Sequence, residues 1–136
     1  MFAKKMCIVA LALSQLNSPA MAGGEYCQIL ENGNLTGEAI TFDQNFADGD
    51  CEADQNACRW TFPYRSENAH IVAESIHRAI KSCEALVSVT NDTPVNHPDS
   101  YQARIYIFPA ITIVLSIKDK AALAETFVTL RAAPQN

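Results

Sequence analysis

"CRWTFPYRSENAHIVAESIHRAIKSC", residues 58–83, decides the fold, because its hydrophobic period changes halfway along. Trp60, Phe62 and Tyr64 alternate with Thr61 and Pro63, which places three rings on one face of a strand. In a small exported domain those rings belong in the core. Pro63 cannot donate to a ladder and marks an edge position or the strand's end. Ser66 then suits a helix N-cap, with Glu67 in the first turn beside the positive helix end. With each residue rotated by about 100°, Ala69, Val72, Ala73, Ile76, Ala79, Ile80 and Cys83 share an arc of about 120°. A strand that feeds a singly striped helix needs a sheet on which to bury that stripe. Its alanines allow close approach, and Val72, Ile76 and Ile80 anchor the contact at about 1.5–3 kcal/mol each.

The opposite stripe holds His70, Glu74, His77 and Lys81 within an arc of about 60°. Glu74 and His77 have the Glu-x-x-His spacing of di-iron bundles, but such a centre needs matching carboxylates from other helices. Lys81 shares the stripe and opposes a cation, and Arg78 lies four residues after Glu74 as an ordinary surface partner. The stripe is therefore expected to face water, histidines included.

Downstream, "ALVSVT" from Ala85 to Thr90 reads as a strand. "NDTPVNHPDSY", residues 91–101, has the composition of a loop. "ARIYIF" alternates Ile105 and Ile107 with Arg104, Tyr106 and Phe108; "ITIVLSIK" alternates Ile111, Ile113, Leu115 and Ile117 with Thr112, Val114, Ser116 and Lys118. Joined around Pro109 and Ala110, they predict an antiparallel pair with one isoleucine-rich face against the helix. The tail predicts a short helical turn at 119–125 and a last strand at 126–131, ended by Pro134.

Upstream, Lys4 and Lys5 precede an apolar run from Met6 to Leu13, and Ala20-Met21-Ala22 fits small-residue cleavage. Residues 1–22 are expected to be a secretory signal peptide, which leaves 23–136 as one exported domain, periplasmic or extracellular. The run is far short of the roughly 20 residues needed to span a bilayer, and no membrane span is expected. Residues 23–58 carry eight Asp and Glu and no Lys or Arg, whereas 59–136 are near balance. That acidic third argues against nucleic acid and anionic membranes and suits a basic protein partner. It also reads as loop-rich, with turns at Asn32-Gly33 and Asp48-Gly49 and one strand near 37–42.

Setting aside Cys7 in the leader leaves Cys27, Cys51, Cys58 and Cys83, expected as two disulfides in an oxidising compartment. If a strand climbs from Cys58 and a helix returns to Cys83, both finish at one end. That geometry favours Cys58–Cys83 with Cys27–Cys51, against Cys51–Cys58 with Cys27–Cys83. The expected architecture is α+β: one main helix, about 67–83, on an antiparallel sheet of four to five strands, disulfide-stapled.

Two further segments invite chemistry. Asp48, Asp50, Glu52 and Asp54 resemble the alternating oxygen ligands of a calcium loop, but Ala53 and Arg59 stand where its glycine and last carboxylate belong. A solvated acidic loop is the preferred reading, with a weak calcium module as the alternative. "NHPDSY" offers His97, Asp99, Ser100 and Tyr101, too close in sequence to form a nucleophile–base–carboxylate relay among themselves. His97, Asp99 and Tyr101 are instead a candidate contact surface on a loop. The chain has no Gly-rich phosphate loop, dinucleotide fingerprint or Cys-x-x-Cys pair, so no cofactor is expected. The expected function is protein–protein interaction without enzymatic activity, as an envelope adaptor, an inhibitor or an immunity-type binder. A small hydrolase using His97 is the rival.

Overall fold

The computed structural model describes residues 23–33, 35, 49–52, 54–92, 94–95 and 98–135. The leader, the strand expected near 37–42, Asp48 and His97 lie outside the described residues. The elements run α1 (Gly23–Asn32), β1 (Asp50–Glu52), β2 (Ala57–Pro63), α2 (Glu67–Lys81), β3 (Ser88–Asn91), β4 (Tyr101–Ile107), β5 (Ile111–Lys120), a 3-10 turn (Ala121–Leu123) and β6 (Glu125–Pro134). Six strands form one antiparallel sheet in the order β1-β2-β6-β5-β4-β3. The sheet is thus wider than the four to five strands expected. The extra strand is β1, three residues inside the acidic segment whose composition reads as loop.

β2 and α2 follow the alternation and the helical stripe. Ser66 caps α2, its Oγ accepting from the Asn68 amide at 3.2 Å. Ala69, Val72, Ala73, Ile76, Ala79 and Ile80 are buried. All of these but Ala79 share one core cluster with Cys58 and Trp60 of β2, Tyr106 and Phe108 of the β4 end, Ile113 and Leu115 of β5, and Val128 and Leu130 of β6. Pro63 is the last residue of β2, where its missing amide proton costs no ladder bond. Tyr64 leaves the ring stripe: its hydroxyl donates to the Pro98 carbonyl at 2.7 Å.

The isoleucine face is only half as expected. β4 and β5 are joined through Pro109 and Ala110, with the Phe108 amide bonded to the Ile111 carbonyl at 2.9 Å. That two-residue loop fixes a register of Tyr106↔Ile113 and Arg104↔Leu115. A register set by the turn decides which face each residue takes. Ile113, Leu115 and Ile117 therefore share the helix side with Arg104 and Tyr106. Ile105 and Ile107 go to the opposite, uncovered face with Val114 and Phe127, where the Arg59 guanidinium sits 4.7 Å above the Phe127 ring.

The acidic segment holds a helix as well as a strand. α1 has glycines at its start and a short apolar set in Tyr26, Cys27, Ile29 and Leu30, too little for a clear periodic signal. It ends at Gly33, whose φ of +70° and amide bonds to the Ile29 and Leu30 carbonyls form a left-handed C-cap. Asn56, in the β1–β2 turn, ties this exit to the sheet: its Nδ2 donates to the Gly33 and Ala132 carbonyls and its Oδ1 accepts from the Leu35 amide at 2.9 Å.

Both disulfides are present, but the pairing favoured from geometry is overturned. Cys27 joins Cys83 and Cys51 joins Cys58. α2 leads from β2 to β3 at the far edge of the sheet, so Cys83 finishes away from Cys58 and beside α1. Cys51 and Cys58 are direct cross-strand partners. With sequence separations of 56 and 7, the bridges restrict the unfolded chain by about 4 and about 2 kcal/mol.

Ala124 holds φ 55° at the end of the 3-10 turn, a left-handed conformation that a Cβ disfavours. Ala124→Gly is expected to stabilise the protein by up to about 1 kcal/mol. Gly33→Ala is expected to cost at least about 1 kcal/mol, because a Cβ there would also lie 2.6 Å from Ile111 Cδ1. Denaturant unfolding of the two variants checks the opposite signs.

Candidate functional site

α2 lies across the sheet, and its flank meets β4 where the sheet extends past the helix. The stripe expected to face water is divided by that geometry. His70 and Lys81 are exposed, but Glu74 and His77 are half-buried against β4. A helical wheel gives direction from one contact line; a sheet broader than the helix also receives the helix's sides.

Glu74 Oε1 accepts from Arg104 Nη2 at 2.7 Å. This bond, above all, holds the Glu74 carboxyl below its usual range. Burial works against the Arg104 charge, but Glu74 outweighs it and keeps the guanidinium protonated. Tyr106, fully buried, has its hydroxyl 2.7 Å from His77 Nδ1. Burial pushes that phenol up to about 12, despite a bond from Arg104. Burial, then the Arg104 charge, lowers His77 below 6.5, so its imidazole is neutral at pH 7. Which of His77 and Tyr106 donates in their shared hydrogen bond is set by the His77 tautomer.

Further along, Asp119 continues the core-facing parity of Ile113, Leu115 and Ile117, yet it is a carboxylate with only 8% exposure. Such a group needs partners to be tolerated. Ser100 Oγ donates to Oδ2, Thr126 Oγ1 donates to Oδ1 at 2.5 Å, and Arg65 Nε lies 3.4 Å from Oδ2. Burial raises its pKa, but the donors from Ser100, Thr126 and Arg65 outweigh that and leave it lowered. Arg65 is itself in a left-handed conformation, φ 56°, with its amide bonded to Thr126 Oγ1 at 2.7 Å.

Between these two networks lies a cleft of about 410 Å³. Arg65 and His70 form one wall, Pro94, Val95 and Tyr101 the other, and Gln102, Ile117 and Asp119 the floor. Beside it lies a smaller chamber of about 40 Å³ bounded by Ala73, Glu74, Arg104 and Leu115. His70, Gln102 and Ile117 line both spaces.

Of the residues expected as a contact surface, Tyr101 lines the cleft. Asp99 is exposed in the adjacent turn, accepting from the Ala121 amide at 3.0 Å. Of the acidic run, Asp50 and Glu52 are exposed on β1 and Asp54 is in the turn that follows. Among the described residues, no group of three His, Cys, Asp or Glu could hold a metal ion, and no helix is long and apolar enough to cross a membrane. Arg65, Gln102, Arg104 and Asp119 are absent from the sequence-derived site. Asp119 had a legible signal, as the one acid that continues an apolar alternation.

The His77 contact has a direct pH consequence. Unfolded, the imidazole takes up a proton near pH 6.5; folded, it resists until lower pH. Below that point the unfolded state binds more protons, so stability falls on acidification. Melting temperature is expected to drop from pH 7 to pH 5, with a shallower slope in His77→Gln. Identical slopes would contradict a neutral His77. No protein-family model, curated protein or solved structure matches the chain, which leaves the cleft's own chemistry to indicate its role.

Proposed function

We propose that this is an exported module that acts without enzymatic activity, by holding a partner protein in the cleft between α2 and β4. Envelope adaptor, inhibitor and immunity-type binder are the roles that fit. The observation that carries this reading is that the charged groups of the cleft and its neighbouring chamber are paired with one another: Asp119 with Ser100, Thr126 and Arg65, and Glu74 with Arg104. Ser100, the hydroxyl nearest a hydrolase-like role, donates to a carboxylate. A serine nucleophile needs a base at that position, and a carboxylate bound by three donors is a poor one. Paired side chains on a stapled frame lose little freedom on binding, which favours recognition.

The two disulfides suit a compartment outside the cytoplasm. Cleavage after Ala22 would deliver the chain there, to the periplasm or the medium. The acidic charge of residues 23–58 favours a partner with a basic region alongside the groups that enter the cleft.

The oxidised protein lacking residues 1–22, immobilised and offered envelope extract, is expected to retain a protein that Thr61→Ala also retains and Gln102→Trp loses. Thr61 lies on the uncovered sheet face, and a tryptophan at 102 would fill the cleft floor. An identical set on all three proteins would contradict the cleft as the contact. Ester or peptide turnover abolished by His97→Ala would contradict the non-enzymatic reading.

A further inference from the structure

We infer that the smaller chamber is a receptor for a primary carboxamide, the side chain of a glutamine or asparagine on the partner protein. This rests on the reading of the cleft as a protein-contact site and adds the chemistry of the anchor. The chamber holds about 40 Å³. A water needs roughly 10–15 Å³ measured in this way, so the space accepts about three water-sized groups. A carboxamide has three heavy atoms. Ala73, Leu115 and Ile117 supply apolar surface, and Ile117 also lines the larger cleft. A short aliphatic stem fits against that side chain.

The polar wall determines the head group. Glu74 and Arg104 form a closed pair, so the wall presents a carboxylate acceptor beside a guanidinium donor without net charge. Glu74 Oε2 has no hydrogen bond among the described residues, and a guanidinium has more N–H groups than one carboxylate consumes. A carboxamide presents the complementary set, an NH₂ donor beside a carbonyl acceptor. Gln102 and His70, which line both spaces, add hydrogen-bonding capacity. A carboxylate would meet Glu74 with like charge, and an ammonium would meet Arg104. Either ion would lose water without gaining a counter-charge that is free to bind it.

The probes are N-acetyl-glutamine methylamide, its glutamate and lysine counterparts, and propionamide, each titrated to about 100 mM, since ligands of this size bind in roughly the millimolar range. Amide and methyl NMR signals of Ala73, Gln102 and Leu115 in the oxidised protein report binding. The blocked glutamine is expected to shift them saturably, at least about tenfold more tightly than either charged counterpart. Glu74→Gln, which leaves the Arg104 charge uncompensated, should reverse the order so that the glutamate probe binds better. Equal binding of the charged probes, no saturable shift at the chamber, or an unchanged order in Glu74→Gln would overturn the assignment. Binding of propionamide but not the blocked glutamine would overturn the partner's side chain as the source. Cleft-dependent capture of a protein that survives any of these results would leave the broader contact reading standing.

Discussion

One helix cannot cover six strands. An α-helix with its side chains is about 10–12 Å across, whereas six strands at about 4.8 Å spacing span roughly 24 Å. α2 buries its alanine and isoleucine stripe over the middle of the sheet, and α1, pinned by Cys27–Cys83, shares that face. The flank toward β4 and β3 must then be closed by something other than apolar burial. In this protein it is closed by side-chain pairs, Glu74 with Arg104 and His77 with Tyr106. Where those pairs end, the cleft begins.

Asp119 belongs to the same geometry. It sits on the helix side of β5 at the position where apolar cover runs out, opposite Thr126 on β6. A leucine there would have extended the core. The carboxylate instead draws Ser100, Thr126 and Arg65 together, and so ties the segment before β4, the start of β6 and the turn before α2 to one point. The left-handed backbone at Arg65 is held by this convergence, with its amide on Thr126 and its side chain toward Asp119.

Much of this order was legible in the residues. β2, α2, β4, β5, the turn after it and β6 follow from period two, period 3.6 and turn chemistry, because each is long enough for its pattern to repeat. β1 and α1 were hidden because three residues and a glycine-led helix carry too little pattern, and their stability comes from the Cys51–Cys58 and Cys27–Cys83 bridges. The disulfide pairing depended on α2 crossing to the far edge, a topological fact that strand and helix lengths do not contain. Ile105 and Ile107 show the same limit: composition marked them as strand, but only the two-residue loop sets the face they occupy. The Glu74 and His77 contacts escaped because a helical wheel knows nothing of the sheet's width.

Polar pairs dock the helix flank, and a double-mutant cycle measures that docking directly. His77→Ala, Tyr106→Phe and the double variant, compared by denaturant unfolding at pH 7, should give a coupling of about 1 kcal/mol in favour of the native pair. Additive effects, with no coupling, would mean that His77 faces water and does not help to dock α2.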